Sequence, residues 1–316
     1  MKNKSVCAVI VSYNRKELLV NCIDAVLSQT KKVDKIFIID NKSTDGTFEY
    51  LKSKNILDEA SMIKEDISED QLIEQKLLNN SNEEIKVSYI RKALNDGGAG
   101  GFYRGMKLAY DEGFEWIWLM DDDGLPKNSQ LENLVNYSTK YQIDFSNALV
   151  LDIDEPKKLS FDLRTYNYVE DIVENDIIEG DINPFNGTLL KRSLVHDIGF
   201  LKKEMFIWGD EAEYIHRAKK ANKKLATIVK AIHYHPKART VKSPIIPFLN
   251  FFKINIKEQR EEIYYRNKGY IAKNYFKFKI YKDYIKYGLY YSFRLKFKDL
   301  VKVYKAYYKG IKNDFN

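Results

Sequence analysis

Three consecutive carboxylates, Asp121, Asp122 and Asp123, follow the apolar run Trp116-Ile117-Trp118-Leu119-Met120 without a spacer. Adjacent like charges raise one another's pKa unless a cation sits among them. On an extended backbone the first and third residues point the same way. Asp121 and Asp123 are therefore expected to share one hard cation, leaving positions open for phosphates. A solvated acidic loop is the alternative, but such loops seldom terminate a Trp-Ile-Trp-Leu-Met strand. A second run, Lys224 to His235, ends in His-x-His-Pro, and alternation places His233 and His235 on one face. Either could complete the metal shell or hold a phosphate; His235 is the favoured one and His233 is assigned to structure. His196 and His216 are read as surface or core residues.

The stretch Asn95 to Gly105 carries Gly97, Gly98, Gly100 and Gly101 ahead of a helix start. Glycine permits close backbone approach, and free N–H groups at a helix start favour anions. Asn95, Gly98, Gly100 and Gly101 are thus candidate donor contacts, with a tight turn as the alternative. No Lys-Ser/Thr follows Gly105, so this is not a P-loop, and Tyr103 stands where a dinucleotide fingerprint needs its third glycine. The run Lys35 to Asp40 ends in Asp40, placed for a ribose or base edge, while Ser43 to Thr47 reads as a turn and helix cap. Ser12-Tyr13-Asn14-Arg15 ends the first strand in the same way. At Phe206 to Ala221, Asp210, Glu211 and Glu213 cluster at a helix start behind an apolar Ile207-Trp208-Gly209. The helix dipole alone would favour acids there, but a carboxylate at a pocket rim can also act as general base toward a hydroxyl. One of Asp210 and Glu211 is assigned that role.

These residues need strands to carry them. Val6 to Ser12, Lys35 to Asp40, Val87 to Ile90 and Trp116 to Met120 read as buried strands, with helices starting near Thr47, Gly101 and Ser129. Such alternation predicts an α/β fold with a mainly parallel sheet flanked by helices, and ligands at the carboxyl ends of its strands. Residues 57–86 are read as an acidic surface insertion with a weak helical period through Ile67, Leu72, Ile73 and Leu77. Short strands and a helix from Asp210 to Ala221 follow. Pro236, Pro244 and Pro247 mark a linker, so the expected domains are 1–240, catalytic, and 241–316, a basic, aromatic, helical C-terminal region.

With 316 residues, 44% hydrophobic and 14% aromatic, the chain has too much apolar content for disorder. No run approaches a bilayer-spanning length. The N-terminal segment does not read as a signal peptide. Cys7 and Cys22 lack metal or CxxC spacing and are read as core thiols of a cytoplasmic protein. Residues 230–316 hold 21 Lys and Arg against 6 Asp and Glu, and 13 of the 23 tyrosines. Their +15 leaves −8 for the rest of a chain whose net charge is +7. An acidic body precedes a basic, aromatic tail.

Taken together, the motifs resemble the inverting glycosyltransferases of family 2 with the GT-A fold, in their galactofuranosyltransferase-like and rhamnosyltransferase-like branch. The resemblance rests on Val9 to Arg15, Asp40-Asn41-x-Ser43-x-Asp45-Gly46-Thr47, Asn95-x-Gly97-Gly98-Ala99-Gly100-Gly101-Phe102, Trp118-x-Met120-Asp121-Asp122-Asp123, Trp208-x-Asp210-Glu211-Ala212-Glu213-Tyr214 and His235. It covers roughly residues 5 to 240. It implies that Asp40 and the Ser12 to Arg15 loop contact the nucleotide, and that Asp121, Asp123 and His235 hold Mn2+ or Mg2+. Asp122 would face the donor sugar or ribose, with Trp208 at the donor site. The family's base position, usually Asp, is Glu211 here, which leaves Asp210 as its competitor. The donor implied is a UDP-sugar, first UDP-galactofuranose, then a dTDP- or UDP-linked hexose or deoxyhexose. The acceptor would be a hydroxyl of a growing cell-surface polysaccharide or a lipid-linked glycan.

A nucleotidyltransferase would share the pocket but not need Glu211. A nucleic-acid-binding protein would use the tail but leave the Asp triplet unexplained, so no nucleic-acid partner is expected. Leu300, Val303, Tyr304, Tyr307 and Ile311 recur at helical spacing among lysines, a pattern suited to an anionic membrane surface at the inner face of the cell membrane. The alternative is that these aromatics pack within the protein or against a second subunit of a homo-oligomer.

Overall fold

The computed structural model describes residues 5–64, 68–237, 241–247, 249, 253–256 and 260–316. In chain order, the first stretch contains β1 (Val6–Ser12), α1 (Lys16–Leu27), β2 (Lys35–Asp40), α2 (Thr47–Ser53), β3 (Gln71–Leu78), β4 (Glu84–Arg91), α3 (Gly97–Asp111), β5 (Trp116–Asp121) and β6 (Leu125–Pro126). There follow α4 (Gln130–Lys140), β7 (Phe145–Asp152), β8 (Lys158–Leu163), β9 (Tyr166–Tyr168), β10 (Ile177–Glu179), β11 (Asn186–Lys191), α5 (Arg192–Ile198), α6 (Asp210–Lys220) and β12 (Leu225–His235). The last stretch adds β13 (Val241–Pro244), β14 (Lys253–Ile256), α7 (Glu261–Tyr275), α8 (Lys279–Ser292) and α9 (Phe297–Ile311). The described residues form two compact units. The first runs to Leu201 and resumes over Arg217–Lys237; the second comprises Lys202–His216 and the residues after Lys237.

In the first unit, β1 and β2 are buried along their whole length. Continuous Val/Ile/Phe runs suit strands covered on both faces. The block β4-β2-β1-β5 is parallel throughout. Beyond β5 the order continues through β11, β7, β12 and β10, with β11 antiparallel to both neighbours and β12 parallel to β7. Register fixes what matters for chemistry: Ser12 pairs with Asp40, Asp40 with Arg91 and Val11 with Asp121. The carboxyl ends of four parallel strands are therefore level, the usual ligand edge of such sheets. Cys7 and Cys22 are fully buried free thiols.

Residues 57–86 depart from the expected helix. Gln71–Leu78 forms β3, antiparallel to β4 at the sheet edge, with every second residue exposed. Its outward Glu74 and Lys76 are the charges that protect an edge strand. Ile67, part of the helical period, lies outside the described residues. The remaining expected strands and helices fall on β1, β2, β4, β5, β12, α2, α3, α4 and α6.

The second unit is built on tyrosine. Tyr264, Tyr265, Tyr287, Tyr290, Tyr291 and Tyr307 are buried with Val303 and Ala306 among α7, α8 and α9. Edge-to-face ring contacts dominate, such as Tyr265–Tyr287 at 4.8 Å and Tyr284–Tyr304 at 4.8 Å. α7 and α9 approach closely because a Cβ on Gly269 would lie 2.0 Å from the Tyr307 carbonyl oxygen, and one on Gly310 1.8 Å from that of Arg266. The α9 stripe Leu300, Val303, Tyr304, Tyr307 and Ile311, expected on a membrane, instead lines this core. An amphipathic period identifies a face to be covered, not what covers it. Pro244, expected in a linker, ends β13, which pairs with β14; residues 238–240 lie outside the described residues. Among the described residues no helix is long and apolar enough to cross a membrane.

Candidate active site

At the sheet's carboxyl edge, Ser12 Oγ donates to Asp122 Oδ2 at 2.8 Å. Arg15 Nη1 donates to Asp122 Oδ1 at 3.0 Å and to Asp123 Oδ2 at 2.6 Å. The first-strand loop and the Asp triplet are thus one charged cluster. Burial pushes the Asp122 carboxyl up to about 6 against the opposing pull of Arg15 and Ser12. For Asp123 burial acts in the same direction, but His235 and Arg15 outweigh it and hold its pKa below the usual value.

The expected pairing of Asp121 with Asp123 assumed an extended backbone. Instead β5 ends at Asp121, and the next residues turn, with Gly124 N donating to Asp121 O at 3.4 Å. The partner the structure brings to Asp123 is His235, whose Nε2 stands 3.2 Å from Asp123 Oδ1. His235 Nδ1 lies 2.6 Å from the Pro236 carbonyl oxygen, so that nitrogen carries the hydrogen in the neutral ring and Nε2 presents its lone pair. Among the described residues Asp123 Oδ1 is buried and accepts no hydrogen bond from a neutral His235 of that tautomer, whereas a protonated ring would pair with it, the interaction that lowers the Asp123 pKa. Two electron-pair donors that face each other this closely call for a proton or a cation between them. A carboxylate oxygen and an imidazole nitrogen suit Mn2+, and the carboxylate suits Mg2+. Among the described residues no three His, Cys, Asp or Glu side chains converge to hold an ion by themselves. Asp121 is therefore not gathered with Asp123 and His235 in this arrangement.

His233 has the structural role expected of it. It is fully buried, with Nδ1 3.1 Å from Gln130 Oε1, and burial followed by the nearby His235 pushes its pKa down to about 3. A Cβ on Gly124 would sit 2.1 Å from His233 Nε2, and one on Gly187 2.0 Å from Gln130 Nε2. The turn after the Asp triplet thus closes directly onto His233. Gln130, Gly124 and Gly187 were not singled out from sequence; Gly124 ends the Asp triplet, but nothing local marks the other two.

Asp40 is placed differently from the expectation of nucleotide contact. It is fully buried and its oxygens are occupied: Oδ1 accepts from Ser43 N at 2.7 Å, and Oδ2 from Tyr89 OH at 2.5 Å and Arg91 Nη1 at 2.7 Å. It shapes the loop after β2 and has no exposed oxygen to offer a ligand. Tyr89 and Arg91 sit two apart on β4, a same-face spacing that only strand register connects to Asp40. Asn14, with φ of 54°, laces the two loops together: its N–H donates to Ser43 Oγ at 3.0 Å and its Oδ1 accepts from Thr44 N at 2.6 Å. Tyr13 is exposed beside it.

The glycine run opens α3 at Gly97, where φ is 77°. Asn95 Oδ1 accepts from Gly97 N at 2.9 Å, and Asn41 Nδ2 donates to Gly97 O at 2.9 Å. A Cβ on Gly101 would meet Val11 Cγ1 at 2.5 Å, and one on Gly105 would meet Val9 Cγ1 at 2.2 Å. These two let α3 lie close on β1, a packing role that the donor-contact expectation for Gly101 did not include. A Cβ on Gly100 would strike the Asp96 carboxylate at about 2.0 Å. Only Gly98 of the candidate glycines faces open space.

In the second unit, Asn267 Nδ2 lies 2.8, 3.0 and 2.9 Å from the carbonyl oxygens of Met205, Ile207 and Trp208. It fixes the loop ahead of α6, where Trp208 has φ of 61° and stands edge-on to Tyr264 at 6.5 Å. Gly209 N donates to Glu211 Oε2 at 3.1 Å. Asp210 and Glu213 are buried, and Glu213 Oε1 accepts from Tyr275 OH at 2.7 Å. Glu211 is the half-buried acid of the three. Asn267 lies far along the chain, and no local signal announces it.

The chain matches the family described as glycosyl transferase family 2 over residues 7–60 and 65–199. It is 28% identical over 277 residues to galactofuranosyltransferase GlfT1 of Mycolicibacterium smegmatis, covering 84% of this chain and 82% of that one. The GlfT1 protein of Mycobacterium tuberculosis strain H37Rv is 27% identical over 276 residues, covering 85% and 82%. Among solved structures, GalNAc-T7 with UDP, GalNAc and Mn2+ has a TM-score of 0.57 at 14% identity, over 92% of this chain and 50% of that one. S. aureus TarS 1-349 has a TM-score of 0.52 at 11% identity, over 98% and 88%. The structural likenesses bear on the fold, which is the GT-A type expected from the sequence. With a mainly parallel sheet, a charged cluster at its carboxyl edge and a match over more than half its length, the chain belongs to glycosyl transferase family 2.

Proposed function

We propose that this glycosyltransferase moves a sugar with inversion from a UDP-sugar, first UDP-galactofuranose, onto a hydroxyl of a growing cell-surface polysaccharide or lipid-linked glycan, with Mn2+ or Mg2+ as cofactor. The supporting observation is the Asp123–His235 pair at the level carboxyl ends of the strands, with Arg15 across it. Asp123 and His235 would hold the cation, with Asp121 as the adjoining carboxylate. When bound, the ion offsets charge that develops on the leaving nucleoside diphosphate. Arg15, which bridges Asp122 and Asp123, would be the cation offered to the diphosphate. Asp122, anchored by Ser12, would face the ribose or the donor sugar. Gly98, open at the start of α3, and Asn95, which shapes that start, would lie along the donor, while Asp40 acts through the loop it shapes. Glu211 takes the proton of the acceptor hydroxyl as it attacks the anomeric carbon from the face opposite the leaving group; one displacement inverts the centre.

The relatives named galactofuranosyltransferase support the donor choice, and rhamnosyl or other hexosyl transfer is the alternative within the family. The C-terminal helices would hold the enzyme at an anionic membrane on the cytoplasmic side, near a lipid-linked acceptor. A donor screen with Mn2+ and Mg2+, scored by nucleoside diphosphate release, tests the reaction class. Release of pyrophosphate from a nucleoside triphosphate and a sugar phosphate would show a nucleotidyltransferase instead.

A further inference from the structure

The helical unit buries the face of α9 that the sequence offered to a membrane, but it leaves a different face uncovered. On and just before α8, Phe278, Tyr281, Ile285 and Leu289 are exposed by 85%, 72%, 64% and 42%. Their spacing of three and four residues puts them on one side of the helix. Fourteen residues make a helix about 21 Å long. Phe293 and Leu295 extend the exposed apolar surface past its end. Contiguous exposed surface of this kind marks a site of protein or membrane contact.

Charge and shape distinguish between those partners. The only acid in α8 is Asp283, which is buried and accepts from Tyr307 OH at 3.0 Å. The helix therefore shows lysines, and no acid, to the outside. Beside it runs a groove of about 400 Å³, formed by Ile245, Ile246, Leu249, Ile285 and Leu289, with Lys282 and Lys286 also lining it. That volume is within the range of roughly 300–1,000 Å³ typical of ligand sites. Arg294 holds the wall, its Nη2 and Nη1 donating to the carbonyls of Pro244 at 2.7 Å and Ile245 at 2.9 Å. An apolar trough whose charged groups, among the described lining residues, are both cations is complementary to an amphiphile with an anionic head.

We propose that the outer face of α8 docks this enzyme on an anionic phospholipid surface. A lipid chain enters the Ile245–Leu289 groove, and Lys282 and Lys286 pair with headgroup phosphates. Basic amphipathic helices with interfacial aromatics bind bilayers by this combination of apolar burial and charge. The proposal rests on the membrane-side acceptor suggested above, and it moves the contact from α9 to α8.

The test is flotation of the full-length protein with vesicles of phosphatidylcholine alone and of phosphatidylcholine mixed with phosphatidylglycerol. Each protein is also assayed for UDP release from the donor in solution. The wild type should float only with the phosphatidylglycerol vesicles. Ile285→Asp/Leu289→Asp should lower the bound fraction about tenfold or more. Lys282→Glu/Lys286→Glu, which changes only charges at the groove, should do the same, and both should keep solution turnover. No flotation by the wild type, equal flotation by both variants, or equal binding to both vesicle types would overturn the proposal. So would a sedimentation shift from dimer to monomer in Ile285→Asp/Leu289→Asp with unchanged flotation, which would assign the face to a second copy of the chain. Absent UDP release in every protein, with flotation as expected, would sink the UDP-sugar donor of the proposed function and leave the docking face standing.

Discussion

Asp123 Oδ1 and His235 Nε2 stand 3.2 Å apart, and among the described residues the buried oxygen accepts no hydrogen bond while the imidazole is neutral. Asp123 lies in the turn two residues past the end of the sheet's central strand β5; His235 ends β12, which is more than 100 residues later and is separated from β5 by β7 and β11. The geometry brings together an oxygen and a nitrogen donor that a divalent cation would satisfy. His235→Ala and Asp123→Asn are therefore expected to raise the Mn2+ concentration needed for half-maximal activity by on the order of ten- to a hundredfold. Isothermal titration with Mn2+ in the absence of donor provides the second readout. Unchanged Mn2+ dependence in both variants would remove the pair from the metal site.

Glu211 is set apart from its neighbours by accessibility: Asp210 and Glu213 are buried, and Glu213 is engaged by Tyr275. Glu211→Gln keeps the size of the side chain and removes its basicity. Transfer should fall by about 10²- to 10⁴-fold, the usual contribution of a general base. Donor affinity, measured by titration with the UDP-sugar, should change little. Full turnover by this variant would exclude Glu211 as the base and return the role to Asp210.

The glycines at the start of α3 separate packing from binding. Gly101→Ala puts a methyl 2.5 Å from Val11 Cγ1 and Gly105→Ala puts one 2.2 Å from Val9 Cγ1. Overpacking of this kind costs about 1–3 kcal/mol, which urea unfolding would register. Gly98→Ala meets nothing within 4 Å, so stability should be nearly unchanged. If Gly98 lies along the donor, that variant instead raises the donor KM. A destabilised Gly98→Ala or a fully stable Gly101→Ala would contradict the packing described.

The central strands were legible because unbroken Val/Ile/Trp runs have few other uses, and their ends located Asp40 and the Asp triplet. What lay opposite those ends was not legible. Asp40 is filled by Tyr89 and Arg91, a relationship created by the register of β2 with β4. Asp121 and Asp123 were expected to alternate, but the strand stopped one residue into the triplet, where local sequence gives no warning. β3 was missed because its apolar residues also fit a helical period, and pairing with β4 decided the matter. The α9 stripe was correctly amphipathic; α7 and α8, not lipid, cover it.

The most direct measurement is transfer itself: UDP-galactofuranose, a galactofuranoside acceptor and Mn2+, with UDP release and the anomeric configuration of the product followed by NMR. Metal-dependent UDP release is expected, matched by a new glycosidic linkage of inverted configuration and abolished by chelation. A retained configuration, or turnover unaffected by chelator, would contradict the proposed reaction.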